Sequence, residues 1–283
     1  MSTTLDIAHL KSWAGRTETA SQSLSPERVR QFNATFDRES DLSPGTEAPL
    51  LIHLCLAQPA AATASLGEDG HPARGGFLPP VPLPRRMWAG GELVFHAAIR
   101  IGETVTRTST IRDVSLKQGR SGTLCFVTVD HAISSNGRLA VSERQDIVYR
   151  AAQDSAPAAG HTGSANPAPT GTHHRRITPT PAYLFRYSAL TFNGHRIHYD
   201  APYAREVEGY PGLVVHGPLQ ATLLLQYAAD LQGRTPARFS FRSLSPLFNT
   251  RDFSIHATPD GDHLKLWSAC EGGPVAMEAR ATW

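Results

Sequence analysis

The chain has 283 residues, 40% hydrophobic and 18% charged, with a net charge of +2. That length suits one or two sizeable cores, while a near-neutral balance with no basic run longer than Arg85-Arg86 gives nucleic acid no electrostatic footprint. No stretch nears the roughly 18 apolar residues of a membrane span, the start MSTTLDIAHLKSWAGR lacks a basic head before an apolar run, and Cys55, Cys125 and Cys270 lie far apart in apolar stretches, so buried free thiols and a cytoplasmic location are expected.

Ser25-Pro26 opens the first helical pattern, SPERVRQFNATFD. Serine caps such a start and proline suits the first helical position. A short apolar helix is expected in APLLIHLCLA. A loop of about 66 to 90 follows, long enough to read as a functional cover. It carries Arg85, Arg86 and Trp88, which could contact a ligand or sit in solvent. Strands are then expected in GELVFHAAI, ETVTRTSTIRDV, GTLCFVTVDHAI and LAVSERQDIVYR. The second alternates, with Thr104, Thr106, Thr108 and Thr110 on one face.

Residues 151–175 are rich in Ala, Pro, Gly, Ser and Thr and have no apolar periodicity, so they read as a linker. His173-His174 at its end reads as solvated. Beyond it the order repeats. PAYLFRYSALTF leads into LTFNGHRIHYD, then HGPLQATLLLQYAADL reads as a helix apolar nearly all round and therefore buried. Strands follow in ARFSFRSLSPLF, RDFSIHATP, HLKLWSAC and PVAMEARATW. The expected class is α+β, with residues 1–150 and 176–283 as two similar units, each a helical section and a curved antiparallel sheet.

The run LTFNGHRIHYD gathers chemistry. His195 and His198 are three apart and Asp200 is close, but no third ligand of known metal-site spacing is present, and no metal is expected. A histidine is the side chain best suited to exchange protons near neutrality. The plain alternative is a capped turn at Asn193-Gly194. In VVHGPL, Gly217 opens the buried helix with free N–H groups and a positive dipole end, which can hold a developing oxyanion. An ordinary helix start and a hydrogen-bonded core role for His216 are the alternatives. No P-loop, dinucleotide fingerprint or G-x-S-x-G elbow occurs.

His198 followed 19 residues later by Gly217 resembles the hydratase-2 branch of the MaoC-like hot-dog proteins, whose motif D-x-N-P-L-H precedes a later HG. Here the positions read Asn193-Gly194-His195-Arg196-Ile197-His198 and His216-Gly217. Residues 82–105, PLPRRMWAGGELVFHAAIRIGETV, and GRSGTLCFVTVDH are similar to the first half of fused double hot-dog dehydratases. LTFNGHRIHYD is similar to the subgroup containing mesaconyl-C4-CoA hydratase, itaconyl-CoA hydratase and mitochondrial hydroxyacyl-thioester dehydratases.

The resemblance implies a fused double hot-dog fold with a non-catalytic, pocket-shaping first unit. It implies reversible water addition to an enoyl thioester: His198 handles the protons, Gly217 N–H binds the thioester oxygen, and coenzyme A arrives with the substrate. The motif's acid is Asn193 here. An amide cannot be an acid or base, so Asn193 is expected to hold the water. A short dicarboxylyl-CoA (mesaconyl or itaconyl, giving citramalyl-CoA) is the expected substrate, with Arg196, Arg85 or Arg86 for its carboxylate and Trp88 and His216 against the ligand. A 3-hydroxyacyl-thioester dehydratase of fatty-acid metabolism and a non-catalytic acyl-thioester-binding protein are the alternatives. No other cofactor and no nucleic-acid or membrane partner are expected; a homodimer is.

Overall fold

The computed structural model describes residues 5–119, 122–151 and 166–283. One antiparallel sheet of ten strands organises them, in the order β1-β3-β4-β5-β2-β7-β10-β9-β8-β6. The first five are β1 (Thr17–Ser23), β2 (Arg85–Phe95), β3 (Thr104–Gly119), β4 (Gly122–Ser135) and β5 (Arg138–Arg150). The second five are β6 (His173–Ile177), β7 (Arg238–Ser243), β8 (Phe253–Asp260), β9 (His263–Ala269) and β10 (Val275–Thr282). The order of the second five mirrors that of the first about the β2–β7 seam, where Gly90–Val94 pair with Arg242–Arg238. This is the duplicated α+β plan expected from the order of elements.

The helices are α1 (Ile7–Lys11), α2 (Pro26–Thr35), α3 (Pro181–Leu190) and α4 (Gly217–Gln232). α2 and α3 occupy matching places and begin alike. Ser25 and Thr180 accept N–H bonds from Arg28 and Tyr183, and a proline follows each cap. α4 packs against β7 to β10, with Leu219 through Ala228 all buried. Its polar residues are bonded: Ser268 Oγ donates to Gln220 Oε1, Thr222 Oγ1 to Pro218 O and Gln226 Nε2 to Leu50 O. A buried polar group bonded in this way escapes most of the desolvation cost.

Three expectations need correction. APLLIHLCLA forms only a 3-10 turn, Ile52–Cys55, entered by Leu51 at φ 66°. Pro49 and Pro59 bracket too few residues for a full helix, and Pro59 pushes the residue before it toward extended backbone. The loop ends sooner than residue 90, because β2 begins at Arg85 and takes in Arg86 and Trp88. The linker ends sooner than residue 175, because His173–Arg175 pair with Ala257–Ile255 in β8; residues 152–165 lie outside the described ones. The threonine face of β3 is a ladder of hydroxyls facing β1, with Ser21 and Thr106 oxygens 2.8 Å apart. β1 itself was not foreseen, because TETASQS carries no apolar alternation.

Candidate active site

His198 ends a 3-10 turn, Arg196–His198, that follows α3. The turn is tied at both ends. Asn193 N–H donates to Ser188 O, and Asn193 Oδ1 accepts from His195 N–H at 3.0 Å. The side-chain carbonyl of Asn193 thus holds the entry to the turn, and its amide NH2 remains able to donate. His198 Nδ1–H donates to Val214 O at 2.7 Å. This bond sets the tautomer: Nε2 carries the lone pair and is the basic atom.

Next in line, His216 stacks on His198 at 3.7 Å with 17° between rings, and its Nε2 lies 2.8 Å from Ser188 Oγ. It is fully buried and sits at the cap of α4. Burial pushes His198 down to about 4 and His216 well below the ordinary imidazole value. His195 meets His198 edge-on at 5.3 Å and is pushed down to about 2 by burial, with His71 and His198 adding repulsion. All three rings are neutral at pH 7.

Gly217 lies at the N-terminus of α4, where no side chain caps the helix. Its N–H is among those a helix leaves unpaired, and the dipole adds positive potential there. A Cβ at Gly217 would meet Trp88 at 3.6 Å and Ser243 Oγ at 3.9 Å, ordinary contact distances, and its φ is not positive. Protein packing and backbone conformation therefore do not require glycine here.

The first unit supplies a wall of this site from the loop expected to act as a cover, through residues that sequence reading did not single out. The loop segment 66–73 lies directly on the 3-10 turn of His198. Arg196 N–H donates to Asp69 O at 2.9 Å, and Arg196 Nη1 to Glu68 O at 3.1 Å. His71 packs on His195 at 4.1 Å, and its Nδ1 lies 3.0 Å from Asp69 Oδ2. Burial lowers His71 despite this carboxylate. Burial opposes the charge of Asp69, yet the bond from His71 holds it below the usual carboxylate range. The only hint in EDGHPAR is a polar, glycine-broken run, which is common in any loop.

Asp69, His71 and His195 offer ligand atoms that all lie within 4.8 Å of one another. The donor set is of a kind that suits zinc or iron, and His71 Nδ1 already lies 3.0 Å from Asp69 Oδ2. The expected arginines fare unequally. Arg196 grips Asp200 through Nε and Nη2 and lies over the Tyr203 ring. Arg85 Nε is 3.4 Å from Glu208 Oε2. Arg86 acts by charge on both His71 and His195, lowering both. Arg85, Arg86, His71 and Tyr203 line a cavity of about 520 Å³ beside the site.

Residues 51–249 match the family model described as hydroxyacyl-thioester dehydratase type 2. The chain is 44% identical over 277 residues to mesaconyl-C(4)-CoA hydratase of Chloroflexus aurantiacus, covering 97% of this chain and 98% of that protein. It is 29% identical over 254 residues to the mitochondrial hydroxyacyl-thioester dehydratase type 2 of Schizosaccharomyces pombe, covering 81% and 80%. A MaoC-like dehydratase from Phytophthora capsici superposes with a TM-score of 0.69 at 11% identity over 99% of both chains. A Mycobacterium tuberculosis protein described as having a double hot-dog fold superposes with a TM-score of 0.58 at 14% identity over 95% of both chains. Those two likenesses are of fold. The fused double hot-dog architecture and the match over most of its length show that the chain belongs to the hydroxyacyl-thioester dehydratase type 2 family.

Proposed function

We propose that the protein hydrates the double bond of a short α,β-unsaturated dicarboxylyl-CoA, mesaconyl-C4-CoA first, to give citramalyl-CoA. The observation that carries this reading is the 44% identity to a mesaconyl-C(4)-CoA hydratase across nearly the whole of both chains. The geometry is suited to the chemistry. His198 Nε2 takes a proton from water, the resulting hydroxide bonds to Cβ, and the electron pair moves onto the thioester oxygen held by Gly217 N–H. Cα then takes a proton from protonated His198, directly or through a water that His198 reprotonates, restoring the base. Asn193 offers its NH2 to the attacking water. Coenzyme A enters as part of the substrate, and no other cofactor is called on.

In mesaconyl-C4-CoA the free carboxylate sits on the carbon that water attacks, so its cation must lie near His198. Arg86 is assigned that part, since Arg196 and Arg85 are engaged by Asp200 and Glu208. Initial rates with mesaconyl-C4-CoA, itaconyl-CoA, crotonyl-CoA and long-chain enoyl-CoA test the reading. A preference of tenfold or more for a dicarboxylyl thioester is expected. A preference for long chains would favour the family's dehydratase activity instead, and binding with no turnover of any thioester would leave a non-catalytic binder. The protein is further proposed to act in the cytoplasm as a homodimer. Its three cysteines are unpaired, and among the described residues no helix is long and apolar enough to cross a membrane. Light scattering would report the assembly.

A further inference from the structure

The inward row of β7 reads Phe239, Phe241, Ser243. Side chains of a strand alternate between faces, so these three point the same way. Phe239 and Phe241 are buried. The row thus turns from aromatic to hydroxyl at its last position, which lies beside the mouth of α4. Ser243 Oγ is 3.9 Å from where a Gly217 Cβ would stand. It is buried and has no hydrogen-bond partner.

A buried hydroxyl left unsatisfied is destabilising, and such atoms are uncommon in folded proteins. Trp88 Nε1 and His216 Nδ1 share this condition, and both residues flank Gly217. The unpaired Ser243 hydroxyl beside an uncapped helix terminus describes a place suited to an oxygen the chain itself does not supply. The indole meets Gly217 through Cε3 and Cβ, on the side of Trp88 away from Nε1. That leaves the serine as the side chain whose polar atom itself contacts the glycine position. Two donors that share one acceptor at ordinary hydrogen-bond length lie within about 6 Å of each other, and Ser243 Oγ, 3.9 Å from the Gly217 Cβ position, lies in that neighbourhood.

We propose that Ser243 is a catalytic residue, its hydroxyl donating to the thioester oxygen as the second oxyanion donor beside Gly217 N–H. The assignment rests on the hydratase reading, and it adds a strand-borne donor to the helix-borne one. As the enolate forms, the oxygen gains charge and both bonds strengthen, so Ser243 acts on kcat more than on KM.

The test is Ser243→Ala in the full chain, with a conservative Ser243→Thr that keeps the hydroxyl, and infrared difference spectra of a bound thioester. Ser243→Ala is expected to lower kcat about 10- to 100-fold with KM changed less than threefold, and to shift the bound carbonyl stretch to higher frequency. Ser243→Thr is expected to recover part of both. Unchanged kcat, or a bound carbonyl stretch identical to wild type, overturns the assignment. A fall in kcat without a carbonyl shift also overturns it, since a purely structural role would act that way. Failure of the hydratase reading would show separately, as absence of thioester turnover by the wild-type protein.

Discussion

His198 owes its chemistry to two neighbours and to burial. The Val214 carbonyl fixes Nδ1 as the donor, and the stacked His216 removes water from one face of the ring. Burial keeps the base uncharged down to about 4. Acid inactivates a general base by protonating it, so kcat/KM is expected to stay flat from pH 8 to about 6, where an ordinary imidazole at about 6.5 would already be largely charged. A limb with its midpoint near 6.5 would contradict this. His198→Ala is expected to lower kcat by about 10²- to 10⁴-fold, the usual worth of a positioned base. Asn193 is a sharper probe. Its Oδ1 accepts the His195 N–H, and an aspartate offers the same oxygen. Asn193→Asp should therefore keep the turn and retain turnover within about tenfold, while Asn193→Ala loses a cap worth about 1 kcal/mol as well as activity. Equal activity of the alanine variant and wild type would remove Asn193 from the reaction.

At the scale of elements, the meeting of loop 66–73 with the catalytic turn depends on a pair of glycines. Gly70 has φ 83°, and a Cβ there would come 2.0 Å from Gly194 O. A Cβ on Gly194 would come 2.7 Å from Gly70 O. Each backbone thus needs the other to be glycine, which explains the glycine inside LTFNGHRIHYD better than a free turn does. Gly70→Ala is expected to cost about 1–3 kcal/mol through strain at positive φ and the backbone clash. It should lift the loop from His195, lower kcat/KM at least tenfold and speed proteolysis within 66–73. Normal kinetics with an intact loop would show that the wall is dispensable. This contact also marks where sequence reading stops. Strands β3, β4, β5, β8, β9 and β10 and the buried α4 appear where the sequence patterns put them, while β2 and β7 end earlier than expected and β6 begins within the expected linker. His198 and Gly217 could be singled out because motif spacing reports them. Asp69 and His71 were missed, since they meet His195 from a chain segment more than 100 residues away, and a one-dimensional period cannot report such a meeting; Ser243 was passed over because a lone serine ending a strand carries no motif.

The molecule as a whole is built from two mirrored five-strand units, but only the second kept a full central helix. The first keeps a 3-10 turn and instead lends Trp88, Arg86 and the 66–73 wall to its partner's site. That division concentrates neutral imidazoles at one junction, with a consequence for stability. His195, His198 and His216 are all held below the ordinary histidine value by burial. In the unfolded chain each titrates near 6.5, so below that pH the unfolded state binds more protons than the folded one, and stability falls as pH falls. The loss begins near pH 6.5 and, for His198, ends near 4, where the folded state also takes up its proton. At pH 5 the His198 ring costs about 2 kcal/mol, and His195 and His216 add in the same direction, against a usual total of about 5–15 kcal/mol. Acid-lowered carboxylates such as Asp230 lose their contribution only as pH falls through the carboxylate range, so they do not produce the same window. Urea unfolding at pH 7, 6 and 5 is therefore expected to show a midpoint that falls steeply over the last unit, with enzyme activity and circular dichroism lost together. A midpoint unchanged between pH 7 and 5 would mean that water reaches the three rings and that the junction opens in solution.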